Sequence, residues 1–251
     1  MEEPNGHLFL KPTITASRPI GRLHPEVDEE KCTCCGRCGE ISQYSAIVCV
    51  GEKALIYPEL CHSCGGCVLI CCTRAVTEVV RDTGKLETGR AGSIQFVHGL
   101  LNVGEAMSAP LIRQVKAAAP RADLVIFDSP PGASCPVIES VRGADRVVLV
   151  TEPTPFGLHD LKIAVEMVRA LKLPFGVVIN HANLGDEETR KYCRVQGIEI
   201  LAEIPDDRHI SEAYSRGILA CETVPEFRQQ CETLLVRLSN PGLPPERGAG
   251  R

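Results

Sequence analysis

Apolar and polar positions follow two regimes along this chain. In the C-terminal part, apolar runs suited to buried strands fall at 94–100, 124–127, 147–151, 176–179 and 198–204. Between them, apolar residues three and four apart predict helices at about 108–118, 134–142, 157–171, 186–196 and 207–216, with a last helix over about 225–239. Strands alternating with helices predict βαβ units, and therefore an α/β fold with a parallel sheet and helices on both faces. The first 27 residues are punctuated by Pro4, Pro12, Pro19 and Pro25 and read as an extended lead-in to that domain. The tail 240–251 is rich in Pro, Gly and Arg and is expected to be disordered.

The alternation is absent from 28–81, where a short unit is repeated. Cys32, Cys35, Cys38 and Ser42 reappear 29 positions later as Cys61, Cys64, Cys67 and Cys71, and Ala46-Ile47 is matched by Ala75-Val76. A duplicated small module is the natural reading. The chain divides accordingly into a lead-in (1–27), this module (28–81), the α/β domain (82–239) and the tail.

Composition narrows the chemistry. The net charge of −5 argues against a nucleic-acid partner, which needs a basic surface. No apolar run approaches the ~20 residues that span a bilayer. The first thirty residues have no basic start or apolar core, so no signal peptide is expected. Of 14 cysteines, ten lie between Cys32 and Cys72. Without an export signal, a reducing cytoplasm and a metal or cluster role fit them better than disulfides.

The second run, Cys61-x-x-Cys64-x-x-Cys67-x-x-x-Cys71, has the spacing of the bacterial two-cluster ferredoxins. Three thiolates two residues apart wrap three iron corners of one cubane, and the fourth serves the other cluster. Cluster I is then expected on Cys32, Cys35, Cys38 and Cys71. Cluster II is expected on Cys61, Cys64, Cys67 and the residue at position 42, which is Ser42. A serine hydroxyl is a hard, protonated oxygen where the site calls for a soft thiolate. Two [4Fe-4S] clusters are expected, the second open to a [3Fe-4S] form, to a four-iron form with a labile corner, or to recruitment of Cys34 or Cys49. Cys72 stands where ferredoxins usually carry proline, which is not a ligand. Structural zinc is the alternative, although zinc sites use separated Cys pairs rather than overlapping triplets. Cys135, Cys193, Cys221 and Cys231 read as packing residues, and His62 as a surface or hydrogen-bonding residue rather than a ligand.

Leu124-Val-Ile-Phe-Asp128 followed by Ser-Pro-Pro-Gly132 resembles the second switch of the MinD/ParA/Mrp class of deviant P-loop ATPases. Val-Val-Ile-Asn180 is similar to that class's adenine-reading strand end, and Glu-Ile-Pro205-Asp206-Asp207 to the loop that closes over the base. Glu2-Glu-Pro-Asn5 resembles the segment after the class's Asp-x-Asp strand. With the cysteine module inserted there, the chain resembles over 2–239 the MinD-like ATPases carrying a ferredoxin domain, labelled cobyrinic acid a,c-diamide synthase-like or nitrogenase-iron-protein-like.

The resemblance implies a P-loop NTPase-like parallel sheet with an inserted α+β ferredoxin-like domain. It implies a magnesium contact at Asp128, a γ-phosphate approach at Gly132, and adenine contacts at Asn180, Pro205 and Asp206. It also implies a redox protein partner and a dimer, with itself or with a related ATPase chain. No G-x-x-x-x-G-K-[ST] occurs in the sequence. Against that class, the opening strand, phosphate loop, helix and second strand, roughly 45–55 residues, would precede Met1. A start assigned too late, a second polypeptide supplying the unit, and a degenerate ATPase half all fit. ATP and magnesium are expected only where that unit is supplied, and hydrolysis by this chain alone is left open.

Three functions follow as rivals: an ATP-gated redox protein, an electron or cluster carrier without nucleotide chemistry, and a zinc-stabilised interaction protein. The phosphate loop separates the first two, and visible absorbance separates the third.

Overall fold

The computed structural model describes residues 5–105 and 107–239. Within them the chain forms two compact units, one of residues 12–126 and one of residues 5–11 with 127–239. The expected tail at 240–251 lies outside the described residues.

The first unit is framed by long antiparallel strands. β1 (Thr13–Val27) pairs with β4 (Val76–Ala91), and β4 pairs with β5 (Ile94–Leu101). Of the expected extended lead-in, residues 13–27 are extended, but as the edge of this sheet, whereas Gly6–Leu10 form a short helix, α1. The 94–100 strand forms, yet outside the parallel sheet where the alternation put it. The reason is local: β4 and β5 are joined by Gly92 and Ser93 alone, with Gly92 at φ +59°. A two-residue loop needing positive φ makes a hairpin, whereas a parallel neighbour needs a long crossover. Helix α4 (Ala109–Ala117) lies across β5, where a Cβ on Gly99 would come within 2.9 Å of Leu111 and Val115. Ile20, Leu86, Leu111 and Val115 form the core there.

The cysteine module occupies this unit between β1 and β4, and its expected limit at 81 falls inside β4. In order it contains α2 (Arg37–Ile41), the hairpin β2 (Ile47–Val50) and β3 (Lys53–Ile56), a 3-10 turn (Pro58–Leu60) and α3 (Gly66–Ile70). The duplication is visible in the backbone at the same 29-residue offset. Positive φ recurs at Cys34 and Ser63, Gly36 and Gly65, and Ser45 and Arg74. Ile47 faces Ile56 as Val76 faces Val27. The Tyr57 amide donates to the Ala46 carbonyl and the Asp28 amide to the Ala75 carbonyl, both at 2.8 Å. Each is one contact made twice, so the two halves are related by a pseudo-twofold. Cys38, Ile47 and Val76 form their shared core, with Val27, Ile56 and Cys71 packed against it.

The second unit is α/β. Its parallel sheet has the order β6 (Val147–Thr151), β7 (Phe175–Ile179), β8 (Ile200–Glu203). Helix α6 (Pro155–Ala170) connects β6 to β7 and α7 (Glu188–Val195) connects β7 to β8, as right-sized crossovers for parallel neighbours. Thr154 caps α6 by accepting the Gly157 amide at 3.0 Å, and Pro155 follows at the first helical position. Leu161, Val165, Val177, Ile179 and Cys193 bury together, so Cys193 is a packing residue. Cys135, by contrast, is exposed at the first turn of α5 (Cys135–Val141). Helices α1 (Gly6–Leu10), α8 (Arg208–Ser215), α9 (Ala220–Thr223) and α10 (Pro225–Ser239) complete the unit.

The strand expected at 124–127 is not formed. Leu124, Val125 and Ile126 are 50%, 41% and 80% exposed, and no strand among the described residues pairs with this run. An apolar run becomes a strand only where a neighbour completes its ladder.

Candidate metal centre

Each half of the module presents its cysteines by the same device. Cys35 and Cys64 precede a left-handed glycine, Gly36 or Gly65, which turns the chain into a one-turn helix. Cys38 and Cys67 lie on that helix, and the residue that ends it returns to extended backbone. That residue is Ser42 in the first half, at φ −80° and ψ 96°, and Cys71 in the second, at φ −71° and ψ 106°. Ser42 therefore occupies the backbone site of a fourth cysteine. The first half exposes its side chain on the same footing, with oxygen in place of sulfur.

Ser42 lies with the second run. A cavity of about 410 Å³ is lined by Ser42 together with Cys61, Cys64 and Cys67, and by Gln43 and Glu78. Apolar walls come from Ile41, Ile47 and Leu60, and the rings of Tyr44 and His62 stack with centroids 3.7 Å apart at its side. The Ser63 amide donates to the Cys61 sulfur at 3.4 Å. The Ser42 hydroxyl accepts from the Ala46 amide at 2.9 Å. Gln43, Tyr44 and Glu78 were not singled out in the sequence, although position 78 is readable as the repeat mate of Cys49, and 43 as that of Cys72.

Around the first run the environment is sulfur. The Cys34 thiol lies 4.0 Å from that of Cys32, Cys49 packs against the core cluster that contains Cys38 and bears electrostatically on both Cys34 and Cys38, and Cys72 bears on Cys35. Cys34 and Cys49, considered as substitutes for the missing thiol of cluster II, thus stand beside cysteines of the other set. Burial and the neighbouring Cys32 and Cys49 thiols push Cys34 up to about 11, and burial with Cys49 does the same to Cys38. An amide donated by Arg37 holds Cys35 below the ordinary thiol value. At Cys71 burial pushes the other way, but Thr73 and the amides of Val76, Ala75 and Thr73 outweigh it and leave the thiol low. Burial raises Cys67, with Cys61 and Cys64 adding to it. A metal binds the thiolate form, so its binding would release the protons of these thiols.

The donor set fits an iron–sulfur cluster: soft sulfur in overlapping triplets, a roomy cavity and an amide directed at sulfur. Among the described residues, no three His, Cys, Asp or Glu side chains converge on a single ion.

A buried cation fixes the approach to the second run. Arg22 on β1 is 7% exposed; its guanidinium donates to the carbonyls of Cys61 and Pro58, the latter at 2.8 Å, and pairs with Glu105 at 3.6 Å. Arg81 joins Glu105 at 2.8 Å and Glu59 at 3.1 Å. The approach to the first run is held differently. There the exposed Asp28 carboxylate accepts the Glu30 and Lys31 amides at 3.1 and 3.3 Å.

In the second unit, Asn180, Pro205 and Asp206 gather at the carboxyl end of the parallel sheet. The Asn180 amide donates to Thr151 at 2.7 Å, the Ala182 amide to Ile204 at 2.8 Å, and the Asp206 amide to the Asn183 side chain at 2.6 Å. His181, at φ +51°, bridges Glu152 at 3.3 Å and Asp206 at 3.8 Å. Asp128 and Gly132 lie in the irregular segment ahead of α5, and no hydrogen bond among the described residues joins them to this group.

No helix among the described residues is long and apolar enough to cross a membrane. No protein family model matches the chain. Two uncharacterized proteins of Methanocaldococcus jannaschii are similar to it. One is 27% identical over 70% of this chain and 62% of its own length; the other is 28% identical over 95% and 83%. The chain therefore spans under two thirds of the first. An iron–sulfur cluster carrier protein of the same organism is 26% identical over 43% of this chain and 44% of the carrier. Among solved structures, the cell division ATPase MinD of Pyrococcus furiosus has 22% identity and a TM-score of 0.43, covering 56% of this chain and 62% of that one. The chain is thus an α/β protein similar in sequence to iron–sulfur cluster carriers.

Proposed function

We propose that the first unit holds two iron–sulfur clusters and exchanges electrons with a redox protein partner. Cluster I rests on Cys32, Cys35, Cys38 and Cys71, and cluster II on Cys61, Cys64 and Cys67 with Ser42 at its fourth corner. The cavity that joins Ser42 of one run to three thiols of the other carries this reading, because a zinc pair would not need that crossing. Such clusters supply one-electron chemistry when bound. The chain's part is to fix the thiol spacing, direct amides at sulfur and exclude water with the apolar walls. A second reading, a cluster carrier, is favoured by the similarity to iron–sulfur cluster carrier proteins. Anaerobic reconstitution with ferrous iron and sulfide tests the proposal. Broad visible absorbance and seven or roughly eight irons per chain are expected. A colourless protein holding zinc after the same treatment would overturn it.

A further inference from the structure

The repeat makes the three unassigned cysteines informative. Cys34 and Cys49 correspond, 29 residues on, to Ser63 and Glu78, and Cys72 corresponds, 29 residues back, to Gln43. The backbone is the same at these sites: residues 34 and 63 share left-handed φ values of 48° and 54°. Residues 49 and 78 follow equivalent strand starts at Ile47 and Val76. The repeat therefore carries a residue other than cysteine at the mate of each position: Ser63, Glu78 and Gln43. Yet around the cluster whose four expected ligands are all cysteine, Cys32, Cys35, Cys38 and Cys71, all three are cysteine as well.

Their surroundings place two of them beside the first triplet. Cys34 stands by Cys32 at 4.0 Å, and Cys49 packs against the core cluster that contains Cys38. Two cysteines of the first triplet, Cys32 and Cys38, thus each have a second cysteine packed nearby.

We propose that Cys34 and Cys49 are reserve ligands for cluster I, replacing Cys32 and Cys38 respectively at iron. This rests on the two-cluster reading above. The exchange is a ligand substitution: the incoming thiol gives its proton to the departing thiolate, and no electron is transferred. An iron corner can then change protein ligand without being released to solvent. Cluster II, with oxygen at the equivalent positions, has no such reserve.

The test is anaerobic loading of the full chain with ferrous iron and sulfide, followed by iron counting. Cys38→Ala is expected to retain the iron of the unmodified protein. Cys38→Ala with Cys49→Ala is expected to lose about half of it, leaving cluster II. Cys32→Ala, alone and with Cys34→Ala, repeats the comparison at a second corner, in case the first pair of changes disturbs folding as seen by circular dichroism. A single variant that loses as much iron as its double, at both corners, overturns the exchange while leaving the two-cluster reading intact. An unmodified protein that takes up no iron overturns both. Disulfide mapping of the apoprotein after diamide treatment gives a readout independent of loading. Cys38 linked to Cys49 is expected, and Cys38 linked only to Cys35 or Cys71 counts against the pairing.

Discussion

The two halves of the cysteine module share a backbone and differ in almost everything attached to it. Turn, one-turn helix and strand recur 29 residues apart with matching left-handed positions. Around the first run the variable positions are sulfur; around the second they are the oxygens of Ser42, Gln43, Ser63 and Glu78. Their supports differ too. An exposed carboxylate, Asp28, holds the approach to the first run, and a buried guanidinium, Arg22, holds the approach to the second. The lesson is that duplication fixed where donors stand, while softness, charge and burial were set separately in each half.

The supports should give the largest difference. Arg22→Leu removes a buried cation, leaving Glu105 without one of its partners, the Cys61 carbonyl without its side-chain donor and the Pro58 carbonyl with the Cys61 amide alone. Glu105 keeps Arg81, so the cost is that of the buried polar groups left unpaired, about 1–3 kcal/mol each, measurable by anaerobic urea unfolding. Asp28→Asn should cost far less, because Asp28 is solvated. Its hydrogen bond to Lys31, opposed by burial, leaves the Asp28 carboxyl below its ordinary value. The stabilisation is therefore present above the usual carboxylate range of about 4 and is lost as pH falls through the lowered value. Equal losses from the two variants would end the contrast between buried and exposed supports.

A smaller effect, confined to one iron, should follow from position 42. A neutral hydroxyl binds iron less well than a thiolate, so the corner facing Ser42 should leave first under brief oxidation. Electron paramagnetic resonance should then show a three-iron signal, suppressed in Ser42→Cys. Because Ser42 and Cys71 share backbone angles, the new thiol needs no rearrangement. Two equally robust clusters in the unmodified protein would remove this half of the comparison. Cys34 and Cys49 are poorly placed to explain such a result, since they stand beside Cys32 and Cys38.

Much of this was legible in the sequence because it rests on local spacing. The repeat, the triplets and the odd Ser42 could be read directly, as could the helices 109–117, 155–170, 188–195 and 225–239 to within a few residues. What escaped depends on partners distant in sequence. Nothing in the surroundings of Arg22 announces that it will bond to residue 61, and the pairing of β1 with β4 joins residues from 49 apart (Val27 and Val76) to 77 apart (Thr13 and Arg90). The 94–101 strand was found but misassigned because the Gly92-Ser93 hairpin signal was passed over. The run 124–127 had the composition of a strand without a neighbour to make it one. Residues 180, 205 and 206, expected from the resemblance to meet a base, follow the adjacent parallel strands β7 and β8.

The smallest predicted effect bears on what the halves share. Gly36 and Gly65 both sit at left-handed φ, +80° and +70°. A Cβ on Gly36 would meet nothing within 4 Å, and one on Gly65 would meet only the Glu78 carboxylate at 3.8 Å, an ordinary contact. Neither substitution creates a clash, so each carries the conformational cost alone. That cost for an L residue in the left-handed region is about 1 kcal/mol. Gly36→Ala and Gly65→Ala should therefore destabilise the loaded protein equally, by about 1 kcal/mol each, in anaerobic urea unfolding with unchanged iron content. The two effects should add in the double variant, because separate turns without shared partners act independently. A Gly65→Ala cost several times that of Gly36→Ala would mean that the second turn is strained by its buried Arg22 anchor. The halves would then differ in backbone as well as in chemistry.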